Sequence, residues 1–301
     1  MTHSIILIGV AIAAVACNQK QEDVPQPVDR PAVRDSIAEQ QVEGWLDKYD
    51  LSNKAAVVVN LPRKVNEASG LAVSSDGRLF THDDERGVVY QIDHQSGEAL
   101  KKFFVGTLTA HADFEGIAIA GDRFFMVTSG GNLFAFNEGA DDERVKYDIY
   151  RTPLTASNDV EGLEYDPESN ALLLPCKKYP GKGSEGYKAV YAVPLETMKM
   201  EKQPRLLIPL SAVSEKSRKG NFNPSGIALH PRSGTFFIIS ADGETIVELT
   251  KDGVVLGQRE LSKKINPQPE GIAFAPDFSL LICNEGQGKT GYLVTYPLMT
   301  K

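Results

Sequence analysis

The sequence predicts an all-β fold, a five-bladed β-propeller, on three observations. A short step recurs five times, each copy is followed by the same succession of short strands, and the last copy ends one strand short. The steps are "EASGLAV" at Glu67, "DFEGIAI" at Asp113, "DVEGLEY" at Asp159, "NPSGIAL" at Asn223 and "QPEGIAF" at Gln268. Their glycines stand at 70, 116, 162, 226 and 271, at intervals of 46, 46, 64 and 45 residues. A period in the forties with four short strands per unit is the mark of propeller blades.

The elements follow in order. Each glycine opens an apolar first strand and reads as its entry turn. Second strands are "GRLFTH", "DRFFMVT", "NALLLPC", "GTFFIIS" and "FSLLICN"; third strands are "GVVYQID", "NLFAFN", "AVYAVPL", "TIVELT" and "GYLVTYP". Fourth strands, "LKKFFVG", "VKYDIY", "PRLLIPL" and "VVLGQREL", exist for four blades only. The missing one is supplied by "AAVVVNLP" at Ala55, so the N-terminal strand completes the last blade and closes the ring, removing open sheet edges. The long third interval carries the loop "KKYPGKGSEGYK" and is too short an excess to hide a sixth blade.

Ahead of the propeller (55–301) the chain reads as three pieces. Residues 1–16 hold an apolar run from Ile5 to Ala16, too short to span a bilayer and ending in small residues before Cys17. This resembles a bacterial lipoprotein signal, which would make Cys17 the lipidated N-terminus and place the protein in the cell envelope, anchored to a membrane. It lacks a Lys or Arg before the apolar run and has Ala where such signals carry Leu. Residues 17–34 are polar and proline-bearing and read as a tether. Residues 35–54 read as a short helix resting on the propeller, with Ser36 and Glu39 as a capping box and Trp45, Leu46 and Tyr49 on one face.

A net charge of −8 and a pI near 5.3, without a run of Lys or Arg, exclude a nucleic-acid partner. Cys176 and Cys283 fall at equivalent strand ends in different repeats and read as buried free thiols. The histidines show no metal-binding spacing, and "GKT" at Gly288 and "GKGSEG" at Gly181 lack the glycine and the strand-to-helix setting of a P-loop or a nucleophile elbow.

The repeats together resemble the SdiA-regulated family of bacterial envelope propellers, and more distantly the NHL, gluconolactonase-like and phytase-like propellers. The resemblance rests on the five steps in register over Ala55 to Lys301. It implies a propeller behind a membrane-targeting segment, with a calcium-binding site.

In a propeller the loop entering each first strand and the end of each second strand face one funnel. That places Glu67, Ser69, Asp113, Glu115, Asp159, Glu161, Asn223, Ser225, Gln268 and Glu270 around it, joined by His82 to Glu85, Lys177, Lys178, Asp242 and Glu285. So many oxygen donors suit a hard cation, since Ca²⁺ takes six to eight oxygens. The candidate ligands are Asp83, Glu115, Glu161, Asn223, Glu270 and Glu285. The same acids also serve as turn caps. The functional expectation is a monomeric, calcium-binding, envelope-tethered module that binds a small molecule or a protein. The alternative is a metal-dependent hydrolase of phosphoesters or lactones, with His82 or Glu85 as base.

Overall fold

The structure is a computed structural model that describes residues 43–65, 67–213, 217–286 and 290–299. The signal segment, Cys17, the tether and the first half of the expected helix lie outside the described residues. Strand β1 (Val57–Asn60) comes first. Blade 1 follows as β2 (Ala68–Val73), β3 (Leu79–Asp83), β4 (Val88–Ile92) and β5 (Ala99–Val105). Blade 2 is β6 (Phe114–Ala120), β7 (Arg123–Thr128), β8 (Leu133–Asn137) and, after the two-residue β9 (Arg144–Val145) that pairs with β5, β10 (Tyr147–Tyr150). Blade 3 is β11 (Glu164–Asp166), β12 (Ala171–Pro175), β13 (Tyr187–Pro194) and β14 (Leu206–Pro209). Blade 4 is β15 (Gly226–Leu229), β16 (Phe236–Ser240), β17 (Thr245–Leu249) and β18 (Val255–Glu260). Blade 5 is β19 (Pro269–Phe274), β20 (Leu280–Asn284) and β21 (Tyr292–Tyr296), and β1 is its fourth strand.

The closure is antiparallel, running from Val57 opposite Thr295 to Asn60 opposite Tyr292. The extra residues of the third interval are spread over the loop at 176–186 and over 210–225, which carries short helical turns at Leu210–Val213 and Arg218–Gly220. Among the described residues no further blade lies there.

The second strands are apolar without alternation because each blade is covered on both faces. In β7, Phe124 and Met126 pack toward blade 1 with Phe80, Phe103 and Phe136, while Phe125 and Val127 pack toward blade 3 with Leu172, Leu174 and Ala189. Five such clusters fill the five seams between blades. Period-2 side-chain direction therefore sorts each strand's residues between two cores rather than between core and solvent. The two thiols lie free and buried in these seams.

At the centre the structure revises the role read for the five glycines. Gly70, Gly116 and Gly271 lie inside their strands, Gly226 begins its strand as expected, and only Gly162 of the five adopts a left-handed backbone, at φ 108°. Their shared property is closeness. A Cβ on Gly116 would stand 2.6 Å from the Gly162 carbonyl carbon, one on Gly162 would stand 3.1 Å from the Gly226 Cα, and one on Gly271 would stand 2.8 Å from the Gly70 carbonyl carbon. The five inner strands thus meet in a ring of backbone, leaving a central void of only about 10 Å³. The ring separates the two mouths of the propeller.

The segment read as a helix shows, from Glu43 onward, one 3-10 turn over Leu46–Lys48 and a bridge from Tyr49 to Leu298. A buried acceptor on blade 4 sets this geometry. Glu248 Oε2 accepts the backbone N–H groups of Trp45 and Leu46, each at 2.7 Å, and Oε1 accepts the Thr235 hydroxyl at 2.7 Å. Tyr49 then donates to the Phe278 carbonyl at 2.8 Å and meets His230 Nε2 at 3.1 Å.

Candidate functional site: an acidic funnel

The site is built around the residue before the ring glycine in four of the five blades, Ser69, Glu115, Glu161 and Glu270. In blades 2 and 5 the pairing register slips at this step: Phe114 opposes Thr128 and Gly116 opposes Val127, while Pro269 opposes Asn284 and Gly271 opposes Cys283. Glu115 and Glu270 are therefore the unpaired residues of β-bulges, a device that re-aims a side chain out of the regular pleat. A similar slip between Ala68 and Leu71 frees Ser69. In blade 3 the positive φ of Gly162 does the same for Glu161.

These residues converge on a cavity of about 200 Å³ lined by Glu67, Ser69, Asp84, Glu115, Glu161, Lys177, Gln268, Glu270 and Glu285. Among the described residues six carboxyl groups line it with one ammonium. Lys177 donates to Glu161 Oε1 at 2.7 Å, Ser69 donates to Glu115 Oε2 at 3.2 Å, and the Gln268 amide donates to Glu285.

The crowding shows in the acidities. Burial, then the charges of Glu161, Asp113 and Glu270, pushes Glu115 up to about 9. Burial and the charge of Glu161 push Glu270 up to about 8. Asp84 is raised to about 6 by burial and by Glu67, and its Oδ1 is buried with no hydrogen-bond partner among the described residues. Burial raises Glu161 and Glu285 as well, with Lys177 opposing the shift at Glu161. For Lys177, burial opposes the charged form, yet Glu161 holds its pKa above the ordinary lysine value.

Of the six expected ligands, Glu115, Glu161, Glu270 and Glu285 share this cavity, and Asp83 and Asn223 do not line it. Strand alternation explains Asp83: it turns sideways and is consumed by the Arg86 guanidinium and the N–H groups of Glu85 and Arg86, while its neighbour Asp84 reaches the funnel. Asn223 accepts from Lys188 Nζ at 2.8 Å and donates to Asp242 at 3.0 Å. Ser225, the other serine that replaces glutamate, struts blade 4 to blade 5 by donating to the Pro269 carbonyl at 2.8 Å. His82 is wholly buried, its Nδ1 lies 3.1 Å from the Asp83 carbonyl, and burial lowers its pKa to about 4, so it does not face the funnel as a base. Glu85 is exposed on the loop and does not line the cavity.

The donor set is all oxygen, which fits a hard cation, and the partnerless Asp84 oxygen is an acceptor awaiting one. Among the described residues no three His, Cys, Asp or Glu side chains already stand as a metal-ligand set. In the arrangement seen, Lys177 supplies the positive charge.

Fold and site together define a five-bladed propeller with an acidic funnel on one face and a sealed axis. The chain belongs to the SdiA-regulated family, which it matches over residues 42–286. No curated protein matches the sequence. Among solved structures it is similar to the glutaminyl cyclase of Myxococcus xanthus, at 15% identity and TM-score 0.52, covering 81% of this chain and 97% of that one. It is also similar to a gluconolactonase of Xanthomonas campestris, at 13% identity and TM-score 0.45, covering 80% and 90%. A Bacteroides thetaiotaomicron protein of unknown function gives 14% identity and TM-score 0.49, covering 76% and 59%. At these identities the likeness is one of fold. Among the described residues no helix is long and apolar enough to cross a membrane.

Proposed function

We propose that this propeller is an envelope-tethered binding module whose acidic funnel takes up a divalent cation, Ca²⁺ being the ion expected, and presents it to a small-molecule or protein ligand. The observation that carries the reading is the excess of carboxyls over cations in one small cavity. Among the described residues Glu67, Asp84, Glu115, Glu161, Glu270 and Glu285 surround one lysine, and burial together with neighbouring carboxylates drives two of them toward neutrality. Glu115, Glu161, Glu270 and Asp84 would hold the ion, after turning inward and releasing Lys177 from Glu161. The bound ion would supply a positive centre for an anionic or carbonyl oxygen of the ligand. No observation favours the hydrolase alternative: neither base expected for it, His82 or Glu85, faces the funnel.

The titrations give the test its sign. Between the ordinary glutamate value of 4.5 and about 8 to 9, folded Glu115 and Glu270 hold protons that the unfolded chain has released. Their contribution to stability therefore falls as pH rises through that window. A divalent cation restores it and expels the protons. Calorimetric titration of the full-length protein in detergent is expected to give a saturable calcium isotherm, tighter at pH 9 than at pH 7, with proton release. The double change Glu115→Gln and Glu270→Gln should weaken it tenfold or more, about 1.4 kcal/mol. A flat isotherm in the folded wild-type protein would sink the proposal.

Tethering is tested separately. Cys17→Ser is expected to abolish incorporation of labelled palmitate and move the protein from the membrane fraction to the soluble one. Unchanged membrane association and labelling would remove the lipid anchor from the reading.

A further inference from the structure

The other mouth of the propeller, beyond the glycine ring, holds a larger cavity of about 490 Å³ with different chemistry. Its floor is formed by the second residue after each ring glycine. Four blades place alanine there, Ala72, Ala118, Ala228 and Ala273, and the small side chains leave the space open. Blade 3 places Glu164 at the equivalent position, and it too lines the cavity. Ile119 and Phe274 add apolar wall. Apart from Glu164 the lining holds one acid, Asp76, kept ionised chiefly by the Ser74 hydroxyl and Arg78, and no lysine or arginine among the described residues.

Glu164 is deep in the protein yet keeps part of its surface open to this cavity. Its Oε1 accepts the N–H of Tyr165 at 3.1 Å, and the N–H of Leu229 on blade 4 also favours its charged form. Burial outweighs both and pushes its pKa up to about 8. Two backbone N–H groups do not compensate a buried carboxylate set beside four alanines, and the missing element is a positive charge. An isolated carboxyl among four alanines is asymmetric, as recognition of a single headgroup requires. A neutral ligand would gain apolar burial only, and an anion would meet two acids.

We propose that this second mouth binds a small organic ammonium ion, an alkylamine or arylalkylamine, with the ammonium on Glu164 and the hydrocarbon body against the alanine ring. The site is independent of the funnel, because the glycine ring closes the axis between them.

The probe is 2-phenylethylamine, compared with 2-phenylethanol and phenylacetate, which share its body and differ in headgroup. Calorimetry on the full-length protein is expected to show saturable amine binding, with the alcohol and the acid at least tenfold weaker. Glu164→Gln should weaken the amine at least tenfold and leave the alcohol unchanged. Glu115→Gln in the funnel should not affect amine binding. Equal affinity for amine and alcohol, an amine isotherm indifferent to Glu164→Gln, or no amine binding to the folded wild-type protein at millimolar concentration each overturns the proposal. Should Glu164→Gln fail to fold, Glu164→Asp and the ligand series on the wild-type protein decide the matter alone.

Discussion

Gly116→Ala is expected to destabilise the protein by about 3 kcal/mol, the upper end of what overpacking by a methyl group costs. The added Cβ would stand 2.6 Å from both the Gly162 carbonyl carbon and the Leu163 nitrogen, and 2.9 Å from the Gly162 Cα. These are backbone atoms of the neighbouring inner strand and have no rotamer to retreat into. Relief requires blades 2 and 3 to separate, which opens the seam filled by Ala118, Leu163 and Leu172. The Gly162 N–H also donates to the Glu115 carbonyl at 2.7 Å, and that bond would lengthen with the separation. Gly121→Ala is the control: nothing lies within 4 Å of its added Cβ, and only its positive φ costs, about 1 kcal/mol. Urea denaturation of the two variants checks the contrast. A Gly116→Ala midpoint at or above that of Gly121→Ala would show that the ring is not tightly packed.

The second large effect is expected at Glu248, which is 0% exposed on β17. Glu248→Ala leaves the N–H groups of Trp45 and Leu46 and the hydroxyl of Thr235 without their acceptor. Buried donors left unpaired cost roughly 1–3 kcal/mol each, partly offset here because a buried charge is removed with them, so a net loss of about 3 kcal/mol is expected. Glu248→Gln should cost only about 1 kcal/mol, since its carbonyl accepts both N–H groups and its amide donates to Thr235, whose hydroxyl turns to accept. Trp45 is the one tryptophan in the sequence, so its fluorescence reports the release of this segment in the alanine variant. Identical emission and stability in wild-type and Glu248→Ala proteins would show that Glu248 does not hold the segment.

How far the sequence disclosed all this depends on whether the signal repeats. The blades, their order and the closure by β1 were legible because turn residues and apolar runs recur in register five times. All six funnel carboxyls were placed at the funnel for the same reason, and four of them, Glu115, Glu161, Glu270 and Glu285, at fixed offsets from a strand start or end, were also named as ligands. Asp83 was chosen over Asp84 because a one-residue error in strand parity sends a side chain to the other face. The glycines were read as turns because nothing local shows that five distant segments meet on one axis.

What occurs once is harder to see. Glu164 had a visible signal, four Gly-Leu/Ile-Ala steps against one Gly-Leu-Glu, but its meaning needed the chamber that the four alanines leave. Glu248 stands in the apolar run "TIVELT", where a charge implies a buried partner, and that partner is backbone about two hundred residues earlier.

The closure of blade 5 also sets an order of events during synthesis. β1 emerges with its strand-pairing groups unmet, and β21 follows more than two hundred residues later. At about 5–20 residues per second that is a wait of ten seconds or more. Blades 1 to 4 acquire all their strands in the course of that interval, while the ring remains open at one seam and the N-terminal strand is free to pair with another nascent chain. Its four-residue length and the two exposed valines, Val57 and Val58, define a small target until β21 pairs with it.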